Sequence, residues 1–251
     1  MFYTLVKNIK KGENIMKKTL KRVLCSVLVC VLLAGTGFLA YSIHIDKKME
    51  RLETQIFPIT QDLSSYELKE IEAVWLFSPA DKAKLVYYYD YVFIAKIDEL
   101  VGTSYSNVRK SEGGKINADP YTNYKITNLY NIKGNLKTNV SFPFSVYGGV
   151  DHTQRFVSAF DNSFIEVGGL YLIIARAKEN GEINAFGPNT VLPLTRGGEP
   201  DISLLSTASI EEVYGDVIDI YKEAVAKNDD EFAPEKRYKS KYEAEVTASV
   251  K

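Results

Sequence analysis

The chain has 251 residues, 45% of them hydrophobic and 25% charged, with a formal net charge of −1; that is enough for a membrane segment and one domain with its own core, and crowded for two. The charge is unevenly spread: residues 1–45 carry seven lysines and arginines against the single acid Glu13, and the chain after Ile45 carries 24 basic and 31 acidic residues. A net-acidic domain argues against an extended phosphate-binding surface, because nucleic-acid affinity rests on cations neutralising phosphates, so nucleic acid is excluded as an expected partner.

Residues 1–22 read as a basic cytoplasmic tail. Within it Lys11-Gly12-Glu13, just before Met16, can be encoded by a purine-rich ribosome-binding sequence, which would make Met16 the initiator. Val23 to Ile45 then runs for 23 residues without a formal charge if His44 is neutral, between Lys21-Arg22 and Asp46-Lys47-Lys48. That length crosses a hydrocarbon core of roughly 30 Å at about 1.5 Å per residue. The lysines before it place the N-terminus in the cytoplasm and everything after Asp46 outside. Residues 23–45 are therefore expected to be a transmembrane signal-anchor, with the membrane as a partner through them. The alternative is a cleaved signal with Val23–Leu33 as its core and Gly35 and Gly37 near the processing site, giving a secreted domain. Both cysteines, Cys25 and Cys30, lie in this run, so the outer domain can form no disulfide and no thiolate metal site. Cys30 follows Leu28-Val29, a poor lipidation site. Export without disulfides is associated with Gram-positive bacteria.

Residues 46–87 read as a charged stem followed by two short helices. Ser64-x-x-Glu67 offers a capping box for a helix toward Phe77. Ser78-Pro79 and Asp81 open the second, with proline at its first position. A domain over 88–195 follows. Tyr91–Ile97 is dense in β-branched and aromatic residues and predicts a strand continuing toward Val101. The Tyr87-Tyr88-Tyr89-Asp90-Tyr91 run before it reads either as an aromatic ligand platform or, in preference, as a helix-to-strand junction with half-buried rings.

Ser104–Pro120 is polar, contains Gly113-Gly114, and predicts a loop. Tyr121–Leu129 predicts a strand ending at Ile132-Lys133-Gly134. Val140, Phe142, Phe144 and Val146 alternate with polar neighbours, the pattern of a strand with one buried face, and Pro143 predicts that it lies at an edge or carries a bulge. Gly148-Gly149 breaks it. Leu170–Ala175 is a nearly continuous apolar strand, Asn180-Gly181 signals a hairpin, Ile183–Phe186 returns, and Thr190–Leu194 adds a short strand. In residues 196–251 Ser209-x-x-Glu212 caps a helix with Ile210, Val213, Tyr214, Val217, Tyr221, Ala224 and Val225 on one stripe, and from Asn228 the chain is polar and is expected to fray. The sum is a mainly β domain, a small OB-like β-barrel with flanking helices, because long crossover helices between strands are missing.

Asp90–Ile97, Tyr124-Lys125-Ile126 to Ile132-Lys133-Gly134, Gly148-Gly149 and Val167-Gly168-Gly169-Leu170-Tyr171-Leu172 together resemble a pattern of bacterial cell-surface proteins of unknown function with an OB-like barrel. These are distantly similar to the metalloproteinase-inhibitor and netrin module. The resemblance covers about 88–195 and rests on fold-marking positions. The metalloproteinase inhibitors chelate their target's metal through an N-terminal cysteine, which this outer domain lacks, so that mechanism is excluded.

No residue is assigned as catalytic, cofactor-binding or metal-binding, and no cofactor is expected. His152 is the only histidine beyond the apolar run. It could serve a hydrolase as base to Ser158 or Ser163, although no Gly-x-Ser-x-Gly elbow accompanies it and an exposed loop histidine is the simpler reading. Asp229-Asp230-Glu231 reads as a solvated charge run before a cation site. The expected function is a membrane-tethered, extracytoplasmic binding module for an envelope protein, peptide or glycan, with an extracytoplasmic hydrolase using His152 as the alternative.

Overall fold

The computed structural model describes residues 26, 35–70, 76–112, 114–158, 165–195, 207–227 and 233–245. The chain divides into two compact units, residues 1–51 and 52–251. Residues 35–54 are helical (α1), with Phe38, Leu39, Tyr41 and Ile43 exposed. Of the segment expected to span the membrane, residues 23–25 and 27–34 lie outside the described residues. Among the described residues no helix is long and apolar enough to cross a membrane.

The second unit is mainly β. A six-stranded sheet runs in the order β2 (Tyr91–Lys110), β3 (Ile116–Lys133), β4 (Ser141–Tyr147), β8 (Ile183–Ala185), β7 (Leu170–Ala177), β9 (Val191–Thr195), and β7 also pairs with β2. The pairings from β2 through β3, β4, β8 and β7 therefore return to β2. β4 and β8 are parallel; β2–β3, β3–β4, β7–β8 and β2–β7 are antiparallel. A three-stranded sheet, β1 (Glu67–Glu70), β6 (Arg155–Ser158) and β5 (Gly149–Val150), stands beside it in that order.

The nearly continuous apolar runs Tyr91–Ile97 of β2 and Leu170–Ala175 of β7 follow from burial on both faces. Tyr91, Phe93, Ala95 and Ile97 of β2 and Tyr171, Ile173, Ala175 and Ala177 of β7 join Ile126, Phe142, Phe144 and Ile183 in one core. The alternate residues Val92, Leu172 and Ile174 pack with Leu85, Val86 and Tyr89 of α2 (Lys82–Tyr88 and its C-cap) and with Tyr221 and Ala224 of α3 (Thr207–Ala226). Ile94 and Leu170 meet Ile210 and Ile218 of α3.

Several expectations need correction. Ser104–Pro120 is no loop: β2 and β3 continue through it as a long antiparallel ribbon, and the turn is confined to Ser111–Lys115, with Gly114 at φ +73°. Its strands carry polar side chains that bond across the pair, as the Asn107 amide does to the Asp119 carboxylate at 2.7 Å, so no apolar periodicity marks them. The helix expected from Ser64 is a 3-10 turn, Leu63–Ser65, because the Asp62 carboxylate accepts from the Ser64 N–H and hydroxyl. Glu67–Glu70 then extends alongside Arg155–Ser158 in parallel. The second helix forms, with Asp81 as the N-cap accepting from Ala83 and Lys84, and Pro79 precedes it instead of opening it.

The strand containing Pro143 is neither an edge nor bulged. It pairs with β3 on one side and with β8 on the other, but the β8 register begins at Phe144, so no β8 residue needs the missing N–H. Helix α3 begins before Ser209, and at Tyr214 its backbone leaves helical geometry (φ −118°, ψ 18°). The stripe shifts there: Ile218 is buried, whereas Val213 is 60% exposed.

The polar C-terminal segment does not fray over residues 233–245. The Lys241 N–H donates to the Gly181 carbonyl at 3.0 Å, Lys137 N–H to Tyr242 at 3.0 Å, and Ala244 N–H to Asn135 at 2.8 Å. The Tyr91 hydroxyl accepts from the Ser240 N–H at 2.8 Å and donates to the Glu243 carboxylate at 2.6 Å. The Tyr242 ring stacks on Phe142 at 4.8 Å between centroids. The segment is a strap tied to the sheet by backbone bonds and aromatic packing, neither of which has a periodicity to read.

Candidate functional site

On β7 successive side chains point to opposite faces. Ala175 and Ala177 enter the core, so Arg176 and Lys178 share the other face and open into a cleft of about 480 Å³. That volume lies within the range of small-molecule sites, about 300–1000 Å³. Across the strands beside Arg176 runs a polar row: Arg176 pairs with Asn184, Asn184 with Ser145, and Ser145 with Asn123. The Asn123 amide donates to the Ser104 hydroxyl at 2.9 Å, carrying the row onto the ribbon.

Aromatic side chains wall the cleft. The C-terminal end of α2 supplies Tyr88 and Tyr89, the ribbon Tyr105 and Tyr121, the strap Tyr238, and the turn after β8 Phe186. The Tyr89 hydroxyl donates to the Phe186 carbonyl. Tyr147 contacts Phe186 at 4.9 Å and Tyr121 at 5.4 Å, both edge to face, and Lys178 Nζ stands 5.2 Å from the Tyr121 ring centre. Burial raises the Tyr89 phenol well above its ordinary value, Tyr88 adding to the effect and the Arg176 guanidinium partly offsetting it. Burial likewise raises Tyr121. Burial lowers Lys178, and Glu182 partly offsets that.

The tyrosine run thus divides its labour. Tyr91 is a core and strap residue, Tyr89 is a buried junction residue, and Tyr88 and Tyr89 both line the cleft. Sequence reasoning missed Arg176, Lys178, Phe186 and Tyr238. The signal available for the cations was the alternation Ala175-Arg176-Ala177-Lys178 at the end of an otherwise apolar strand.

His152 is not among the residues lining the cleft. Its neighbour Asp151 is committed elsewhere: one carboxylate oxygen accepts from Thr153 N–H at 2.8 Å, Thr153 hydroxyl at 2.6 Å and Arg155 N–H at 3.1 Å, and the other from the Arg155 guanidinium at 3.2 Å. Burial disfavours the Asp151 charge, but these bonds outweigh it and hold the carboxyl below its ordinary value. Ser158 lies on β6, and Ser163 and Asp229–Glu231 lie outside the described residues. Among the described residues no group of three or more His, Cys, Asp or Glu side chains is placed to hold a metal ion.

Lys133 is a half-buried cation with a structural task. Its Nζ donates to the Val86 carbonyl at 2.6 Å and to the Tyr89 carbonyl at 2.5 Å, satisfying acceptors that the end of α2 leaves without helical partners. Burial, helped by the charge of Arg237 and opposed by Asp90, lowers Lys133 to about 8. Between that value and its unfolded value near 10.5 the unfolded chain binds more protons, so stability rises with pH. Above about pH 10 the buried phenols reverse the trend, because unfolded tyrosines ionise first. Urea midpoints should climb from pH 8 to pH 10 in the wild type and climb clearly less in Lys133→Met, where only the smaller contribution of Lys178 remains; a climb of equal size in both would show that Lys133 is not responsible.

No protein-family model matches the chain, and no curated protein matches it.

Proposed function

We propose that the chain is a membrane-tethered, extracytoplasmic, non-catalytic binding module built on an OB-like barrel, with the aromatic and cationic cleft as its ligand site. The circuit β2-β3-β4-β8-β7 returning to β2, with β4 and β8 parallel, supports the barrel assignment. The tether rests on the uncharged run 23–45 behind Lys21-Arg22 and on the exposed apolar side chains of α1. These features also favour kinship with the OB-like surface proteins of Gram-positive-type bacteria. The carrying observation is the cleft itself: ring faces, hydroxyls, amides and two cations converge on a space of ligand size. Its lining supplies recognition groups without a nucleophile held by a base, which favours binding over hydrolysis by His152.

Full-length protein expressed in a bacterium should fractionate with membranes, and its domain should be cut by protease added to intact cells. Solubilised and mixed with isolated envelopes, the wild type should sediment with them, and the double variant Tyr121→Ala/Phe186→Ala should be released, while His152→Ala behaves as wild type. Sedimentation unaffected by the cleft substitutions would move the site elsewhere, and protection from external protease would defeat the outward orientation.

A further inference from the structure

The cleft's charges narrow its ligand. Arg176 and Lys178 are both half-buried, and among the described residues neither forms an ion pair with a carboxylate. Glu179 is the one acid of the lining, and it is exposed. Glu182, the acid that acts on Lys178 through space, accepts from Lys241 at 3.4 Å. Two cations partly withdrawn from water, with no carboxylate paired to either among the described residues, are placed to take an anion between them. Their partner must be small: the domain is net acidic, so an extended polyanion would be repelled, whereas one charged group entering a cationic cleft would not.

The rest of the lining is suited to a ring. Phe186 is 37% exposed and packs edge to face with Tyr147, which in turn meets Tyr121, and it offers a flat apolar surface. Asn184, Ser104 and Asn107 line the same cleft and add two amides and a hydroxyl, donors and acceptors alike. An acidic peptide would use the cations but has no need of a rigid ring surface flanked by hydroxyl-binding groups; a sugar acid or sugar phosphate uses all three.

Resting on the binding-module reading, we propose that this cleft binds an anionic saccharide, with its carboxylate or phosphate between Arg176 and Lys178 and its ring against Phe186. The guanidinium can grip either anion with two parallel N–H bonds, and Lys178 adds a point charge.

Titration calorimetry on the full-length chain, in a non-ionic detergent without sugar headgroups, tests this with matched probes: cellobiouronic acid against cellobiose, glucose 1-phosphate against glucose and against inorganic phosphate, and triglutamate. The acidic sugars should bind at least about tenfold tighter than the neutral ones, and Arg176→Gln/Lys178→Gln should cost about ten- to hundredfold. Phe186→Ala should weaken the acidic and neutral sugars together, with thermal midpoints confirming that every variant is folded. Whichever acidic sugar binds tighter identifies the anion. Equal binding of charged and neutral sugars, or indifference to the double substitution, overturns the anion's role. Inorganic phosphate or triglutamate binding as tightly as the acidic sugars overturns the saccharide. If no probe binds while envelope sedimentation still depends on Tyr121 and Phe186, this proposal fails and the binding module stands; if both fail, the module reading falls with it.

Discussion

A chain ended at Lys227 should lose on the order of 5 kcal/mol of unfolding free energy, from lost apolar burial and lost hydrogen bonds together. The strap it lacks covers Leu136, which is 1% exposed, stacks Tyr242 on Phe142, and closes backbone bonds to Asn135, Lys137 and Gly181. It also leaves the Tyr91 hydroxyl, buried at the head of β2, without Ser240 and Glu243. Each hydrogen bond lost in this way contributes about 0.5–1.5 kcal/mol, since the same cut opens the hydroxyl to water. Domains of this size are stable by about 5–15 kcal/mol, so the truncated chain should be marginal or unfolded at 25 °C. Urea unfolding read by circular dichroism would show it, and Tyr242→Ala should move the midpoint in the same direction by about half as much. Equal midpoints for the full and truncated chains would mean that the strap decorates the fold without supporting it.

That dependence was not legible in the sequence, for a physical reason. The apolar runs of Tyr91–Ile97 and Leu170–Ala175 and the alternation at Phe142–Phe144 are imposed by burial, so these strands could be read from composition, and Asn180-Gly181 announced its turn. The strap is held by irregular backbone bonds and by tyrosines spaced without period, and its composition between Pro234 and Lys241 is that of a solvated tail. The ribbon failed likewise: its strands are stabilised by pairing and by polar cross-strand contacts such as Asn123 with Ser104. Its buried positions, among them Thr103, Tyr105, Ile116 and Thr122, are part polar and widely spaced, so they leave little apolar alternation to detect.

The cleft was half legible. The tyrosines before β2 stood out as a cluster, and Tyr88 and Tyr89 do line it, but its chemistry depends on residues brought together by pairing: Arg176 beside Asn184, Asn184 beside Ser145, Phe186 within reach of Tyr147. No local spacing encodes those neighbours. His152 attracted notice because histidine is rare in this chain, and rarity is a property of composition, whereas a site is a property of convergence.

Gly102→Val should be the most damaging single substitution in the ribbon, costing about 3–5 kcal/mol from a strained backbone and an unaccommodated side chain. Gly102 has φ +146° and follows a register shift after Leu100, the geometry of a β-bulge. A Cβ built there would stand 2.3 Å from the Phe57 carbonyl oxygen, which backbone bonds hold in place: Phe57 N–H donates to Thr103 at 2.7 Å, and Thr103 N–H returns to Phe57 at 2.8 Å. Relief would require breaking that bridge, and with it the edge contact of Phe57 with Tyr105 at 5.6 Å. The strain reaches the cleft as well, because the Gly102 carbonyl accepts from the Asn123 amide that anchors the ribbon end of the polar row. Gly102→Ala separates the two costs: it adds the clashing Cβ without the bulk, and should retain more than half of the loss in a urea titration. Wild-type stability in the alanine variant would show that the Phe57 segment leaves β2 freely and that Gly102 serves no purpose as a glycine.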